Sequence, residues 1–273
     1  MTRRFNIRAV AAAGALTLVA LIAAFPFLWM IATSFKTLPE TVSSPPTFLP
    51  AHPTWAAYRR LFDELAYARY LANTLILVAI GYVGLVLMAM AGYGFAKYRF
   101  RGRGTLFMLV LATMMVPAQV TMIPTYLILN FAHLTNTITG MALPGLVVAF
   151  NIFLLTQFMS TIPDEVLEAA RIDGAGELRI FLQIVLPLSR PILAVQAILT
   201  FIAGWNSFLW PLIVANDESK YTLSVGLSLL NRQTTVDPPL QMAGASLMVI
   251  PIVIVFLLFQ RHIVRGFTLS GLK

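Results

Sequence analysis

Side chains able to make or break bonds are few and scattered in this sequence. Cysteine is absent, which excludes thiolate nucleophiles, thiolate metal sites and disulfides. His52, His133 and His262 fall in three separate regions, and no HExxH pair exists to hold a metal. No Walker A sequence is present, and Gly92-Tyr93-Gly94 lacks the third glycine and the strand context of a nucleotide loop. One charged stretch stands out instead. Ser160 to Pro191 reads STIPDEVLEAARIDGAGELRIFLQIVLPLSRP and encodes two short helices. Thr161 is a candidate cap, and Pro163 suits an early helical position where its missing N–H costs nothing. Asp164 and Glu165 place negative charge at the positive end of the helix dipole. Val166 to Ile172 continue the helix, and Gly174 supplies a left-handed stop. The second helix is expected from Glu177 to Leu186, ending at Pro187. The pattern is a compact hook with an acidic head, unlike a bare connector.

The elements that carry this hook are set by composition. Of 273 residues 59% are hydrophobic and 11% charged, whereas soluble domains run about 45–50% and about 25%. The apolar residues come in long blocks, so the solvent is lipid. A crossing helix needs roughly 20 mostly apolar residues. Six blocks qualify, at 9–34, 70–96, 105–130, 140–160, 191–215 and 241–260, and none holds Asp, Glu, Lys or Arg. Arg3, Arg4 and Arg8 before the first block resemble a secretory signal, but the run continues through Phe25, Trp29 and Ile31. That is longer than a signal core of about 7–15 residues, so an uncleaved span is expected.

Basic residues give the orientation. The N-terminus, the 97–103 loop, the 161–190 loop and the 261–273 tail together carry 13 Lys and Arg, against 6 in the alternate loops. Positive charge stays in the cytoplasm, which places both termini and the hook there. The net charge of +8 thus reflects membrane orientation and not a nucleic-acid partner. The longest outer loop, 35–68, holds Pro39, Pro45, Pro46, Pro50 and Pro53, and is expected to be an irregular cap. A short amphipathic helix near Trp55–Ala66 follows, with Trp55, Tyr58, Phe62 and Tyr67 at headgroup level.

The run Glu168-Ala169-Ala170-Arg171-Ile172-Asp173-Gly174-Ala175, with Phe181, Ile184, Leu186 and Pro187, resembles the EAA loop of ATP-binding-cassette importer permeases. The similarity extends over nearly the whole chain. It includes Pro53-Thr54-Trp55 with Tyr58, Asn73-Thr74, Tyr93-Gly94-Phe95-Ala96, Pro117, Pro124, Asn136-Thr137 and Leu143-Pro144. Trp205-Asn206, Leu209-Trp210-Pro211, Thr222-Leu223 and the end from Gln260-Arg261 through Gly266, Gly271 and Lys273 resemble the carbohydrate branch in particular. The final segment Thr268–Lys273 departs from that branch by lacking its last glycine.

The resemblance implies an all-α integral membrane protein with the type I importer permease fold: a single transmembrane domain over 1–273 in a bacterial or archaeal inner membrane. It implies a second permease subunit as a heterodimer partner, two ATPase subunits that bind ATP and Mg, and an extracytoplasmic solute-binding protein. This chain itself would bind no cofactor or metal and catalyse nothing. Carried over, 161–190 supplies a coupling helix for a cleft on the ATPase. Glu168 meets a basic group, Ala169 and Ala170 allow close approach, Arg171 belongs to the same motif, and Asp173 and Gly174 shape the turn.

A sugar-type substrate needs amides, hydroxyls and aromatic faces. Gln119, Tyr126, Asn151, Gln157, Trp205, Asn206 and Trp210 are the candidates to line its path. Buried amides also bond neighbouring helices, and tryptophans also mark the membrane interface. Gly81, Gly84, Gly92 and Gly94 are expected to permit close helix contact. Pro26, Pro117, Pro124, Pro144, Pro211 and Pro251 are candidate kinks or packing features. A secondary transporter is the alternative, but the spans contain none of the ionisable groups that ion coupling uses. A passive channel would have no use for the hook.

Overall fold

In the computed structural model, which describes residues 7–230 and 237–270, every regular element is helical. In chain order these are α1 (Ile7–Ser34), α2 (Leu38–Thr41), α3 (Ala56–Glu64), α4 (Tyr67–Lys97), α5 (Arg103–Thr113), α6 (Ala118–Phe131) and α7 (Ile138–Ala142). Then come α8 (Ala149–Ser160), α9 (Asp164–Ile172), α10 (Glu177–Ile180), α11 (Leu186–Leu188), α12 (Arg190–Trp205), α13 (Leu209–Val214), α14 (Leu223–Leu229) and α15 (Pro238–Ser270). Arg3, Arg4, Gly271 and Lys273, used above for orientation and motif, lie outside the described residues, as does Arg232, one of the six basic residues of the alternate loops.

Four helical stretches are long and apolar enough to cross a membrane: Ala12–Ser34, Tyr67–Lys97, Arg190–Val214 and Pro238–Gln260. Two bent pairs raise the number to as many as six. The pair α5 and α6 bends by 99°, and Ile138–Gly145 with α8 bends by 48°. The blocks at 105–130 and 140–160 are therefore bent, at Pro117 and Pro144 among the candidate kinks. Proline explains both breaks. Pro117 has no N–H and biases Val116 away from helical geometry. The chain before it closes in tight turns, with the amides of Met114, Met115 and Val116 bonded three residues back. Pro144 sits in a short 3₁₀ turn, Leu143–Gly145. Pro26, Pro124 and Pro251 are accommodated inside α1, α6 and α15, and Pro211 falls within α13.

One compact unit combines the chain up to Tyr67 with Leu227–Pro251. In it α3 buries Ala57 and Leu61 against Leu230, Leu240 and Ala243. The Tyr58 hydroxyl bonds the Ser34 hydroxyl at 2.8 Å. Arg60 joins Asp237 at 2.5 Å and Glu64 at 2.8 Å. Trp55 and Phe62 are exposed, as expected of headgroup residues, but Tyr67 is buried beneath Phe62. The outer loop is more ordered than a run of prolines implied. Phe48 stacks on Phe25, and Lys36 is buried with its ammonium over Trp29 and bonded to the Thr47 carbonyl.

The second unit runs from Ala68 to Gly226 and resumes at Ile252. Its larger core joins Leu85, Met88, Ala89 and Tyr93 of α4 to Ile152, Leu155 and Met159 of α8 and to the hook. Close approach underlies this packing. A Cβ at Gly84 would lie 2.0 Å from the Leu146 carbonyl oxygen, at Gly92 2.8 Å from Leu155, and at Gly81 3.1 Å from Thr200. Gly94, grouped with them on sequence, faces open space. Asn73 donates to the Ser219 and Tyr221 carbonyls, and Thr74 accepts from the Leu223 amide. Asn136 accepts from the amides of Asn216 and Asp217. The Asn73-Thr74, Asn136-Thr137 and Thr222-Leu223 motifs thus meet around one turn, residues 215–223.

Candidate functional site

The hook is α9, the turn after it, and α10. Its entry differs from the sequence reading in detail. Thr161 closes α8, its hydroxyl donating to the Phe158 carbonyl, instead of capping α9. Pro163 occupies the N-cap itself, with extended ψ of 136°, and Asp164 and Glu165 form the first turn. The C-terminal end is as expected. Gly174 has φ of +81°, and the amides of Gly174 and Ala175 bond the carbonyls of Arg171 and Ala170. That pairing is a Schellman turn, which satisfies carbonyls that would otherwise lack donors. Ala175 packs on the core that includes Ala170, supplying the hydrophobic contact such turns favour.

The second helix does not end at Pro187. It passes into a π-helical turn, Phe181–Val185, and continues through α11 to a break at Ser189. A proline ring clashes with the carbonyl four residues earlier in a regular helix. The wider π turn relieves that crowding before Pro187, so the proline is carried instead of stopping the helix.

Charge holds the hook in place. Glu177 accepts from Arg171 Nε at 2.8 Å and from the Tyr98 hydroxyl at 2.5 Å. Arg171, and after it Tyr98, hold the Glu177 carboxyl below its usual range. Burial, then the Glu177 carboxylate, pushes the Tyr98 phenol up. The Lys97 ammonium donates to the Ile162 carbonyl and to Asp164 Oδ1, 2.7 Å away, and keeps that carboxyl low. Beneath these bonds Ile162, Leu167, Ala170, Ile180 and Phe181 are buried.

The motif residues divide by direction. Glu168, Ala169, Asp173 and Gly174 are exposed, and Ile172 at the tip is 86% exposed. Ala170 is turned into the chain's own core, and Arg171 braces Glu177 across the turn. The Glu168 carboxylate makes no ion pair among the described residues.

A cleft of about 540 Å³ opens in the same unit, lined by Leu77, Gly81 and Met88 of α4, Asn151 of α8, Thr200 and Gly204 of α12 and Ser207 just after it. Of the seven pore candidates only Asn151 lines it. Gln119, Gln157 and Asn206 are exposed elsewhere, Tyr126 and Trp210 pack around a second core, and Trp205 is buried and stacked on Phe201. Thr200 and Ser207 were not singled out, because a lone hydroxyl in an apolar span looks like packing. Gln196 was missed as well. It is fully buried in α12, with no hydrogen-bond partner for either end of its amide among the described residues.

The fold is that of an ATP-binding-cassette importer permease. A crystal structure of a bacterial ABC transporter involved in import of the acidic polysaccharide alginate contains a chain that matches with a TM-score of 0.85 at 26% identity, covering 96% of this chain and 99% of that one. Residues 84–269 match the family described as binding-protein-dependent transport system inner membrane component, and the chain belongs to that family. It is 36% identical to the arabinooligosaccharides transport system permease protein AraQ of Halalkalibacterium halodurans, over 93% of both chains. It is 35% identical to the sn-glycerol-3-phosphate transport system permease protein UgpE of Yersinia pestis, covering 83% of this chain and 84% of the relative. These relatives are transporter permease subunits and not enzymes.

Proposed function

We propose that this chain is one permease subunit of a binding-protein-dependent ABC importer for a sugar or related polyol or glycerol-phosphate compound, and that its hook couples transport to a separate ATPase. The observation that carries the coupling reading is the hook itself. It is a Schellman-turned helix pair held rigidly from behind by Lys97 and Tyr98, with Glu168, Ala169, Ile172 and Asp173 left facing outward. Ala170 and Arg171 then keep the shape of the docking element, and Glu168 meets a basic group of the partner. The secondary-transporter and channel alternatives are not favoured, because neither accounts for such an element in a chain of this family.

In this reading the chain is one transmembrane domain of six spans, counting each bent pair as one, with both termini and the hook in the cytoplasm of a bacterium or archaeon. A second permease completes the pore; two ATPase subunits bind ATP and Mg, and an extracytoplasmic binding protein delivers substrate. This chain holds no cofactor. Asn151 and Ser207 offer amide and hydroxyl groups suited to a sugar-type substrate, and the relatives named for arabinooligosaccharide and alginate transport support that class. Gln119, Tyr126, Gln157, Trp205, Asn206 and Trp210 remain secondary pore candidates.

The test is co-purification in detergent followed by ATPase assay, with Glu168 and Gly174 variants alongside. Recovery of a second permease and an ATPase pair, lost or uncoupled in the variants, is the expected result. A chain that purifies without any nucleotide-hydrolysing partner would overturn the reading.

A further inference from the structure

We propose that Lys97 and Tyr98 are positioning residues of the hook, clamping it to α4 so that the hook and the α4 wall of the cleft move as one body. The inference rests on the coupling reading above and names the route by which displacement leaves the hook.

Two consecutive residues at the end of α4 hold both hook helices. Lys97 bonds the Ile162 carbonyl and Asp164, where α9 begins. Tyr98 bonds Glu177, where α10 begins, and Tyr93 reaches the same carboxylate oxygen at 3.4 Å. Arg171 takes the other oxygen of Glu177, so the bonds form a closed frame around the turn. The Lys97 side chain is only 5% exposed, so its partners are not readily replaced by water.

Along its middle α4 presents Leu77, Gly81 and Met88 to the cleft. Met88 lies nine residues before Lys97 in one helix, roughly 14 Å along its axis. Among the described membrane-length elements α4 is the one with neither an internal proline nor a break. α1 and α15 contain Pro26 and Pro251, the two bent pairs are broken, and α12 stops at Trp205 before α13. The covalent path from α10 into α12 crosses a π turn, Pro187 and the break at Ser189. The clamp onto α4 is thus stiffer than the path through α12, and packed rigid elements carry displacement as units.

The absence of cysteine from this chain permits paired spin labels at chosen positions in it, with partner subunits freed of reactive cysteines for the assembled transporter. Ile76→Cys on α4 and Leu178→Cys on α10 of the hook, outside the residues assigned to docking, are both exposed positions. Their distance distribution is measured in proteoliposomes without nucleotide and with ATP, Mg and vanadate. With Lys97 and Tyr98 intact, the expected distance is the same in both states. With Lys97→Met and Tyr98→Phe combined, it is expected to broaden and to become nucleotide-dependent, while the ATPase still co-purifies. Lys97→Arg with Tyr98 intact, which keeps donors for both the Ile162 carbonyl and Asp164, should retain the fixed distance. A distance that already changes with nucleotide in the intact clamp, or stays fixed in the double variant, would overturn the proposal while leaving the coupling reading in place. Failure of any ATPase to co-purify with the intact chain would overturn both.

Discussion

Arg171 and Glu177 face each other across the Gly174 turn, with Nε and Oε1 2.8 Å apart. The pair ties the end of α9 to the start of α10, and Tyr98 ties the same carboxylate to α4. A motif arginine that could be imagined reaching for a partner protein is engaged within its own hook.

This arrangement has a pH signature. Glu177 and Asp164 both have lowered pKa values, the first through Arg171 and Tyr98, the second through Lys97. A carboxylate lowered on folding stabilises the fold above its ordinary pKa, and that contribution is lost as pH falls through the lowered folded value. The hook amides should therefore show constant hydrogen-exchange protection near neutral pH and lose it in acid, below the ordinary glutamate value of 4.5. Glu177→Gln should lower protection at neutral pH and flatten the acid step. An unchanged acid step in that variant would assign it to other groups.

Gly174 is surrounded by open space, so any penalty for replacing it comes from its backbone and not from crowding within the chain. At φ of +81° a β-branched residue is strained, by about 1–2 kcal/mol. Asparagine tolerates this region better. Gly174→Val and Gly174→Pro should uncouple hydrolysis from uptake while leaving the protein inserted, and Gly174→Asn should retain most coupling. The check is uptake per ATP hydrolysed across the three variants; normal uptake by Gly174→Pro would refute the assigned role.

Gly84 meets a backbone atom, which cannot rotate away. Its added Cβ would lie 2.0 Å from the Leu146 carbonyl oxygen. Gly84→Ala should cost about 1–3 kcal/mol through forced separation of packed elements, read as a lower unfolding temperature in detergent. Gly94→Ala, facing open space, is the matched control and should be nearly neutral.

Thr74 is fully buried and accepts from the Leu223 amide while donating to the Tyr70 carbonyl. Thr74→Val keeps the shape and strands a buried donor, which costs about 1–3 kcal/mol. Thr74→Ser should retain most of the stability. Limited proteolysis within 215–223 is the local readout, with faster cleavage expected for the valine variant alone.

Much of this protein could be read locally. The apolar blocks, the acidic head of α9 and the stop at Gly174 depend on residues a few positions apart, and each is found near its expected place. The same is true of α3. Proline positions marked where spans could break, but not which would. Pro117 and Pro144 coincide with bends while Pro26 and Pro251 are carried within helices, because neighbouring packing decides whether a missing hydrogen bond is tolerated.

The site itself was a tertiary decision. Lys97 and Asp164 are 67 residues apart, and Tyr98 and Glu177 are 79 apart, so no window along the chain could pair them. The cleft chose Asn151, Thr200 and Ser207 and passed over Gln119, Gln157 and Trp205. In a soluble helix the polar face declares which side is inward, but a helix solvated by lipid is apolar all round and its periodicity carries no such signal. The sequence alone determined that this chain lives in a membrane and carries a hook; only the packing of distant helices decided what holds that hook and which side chains face the cleft.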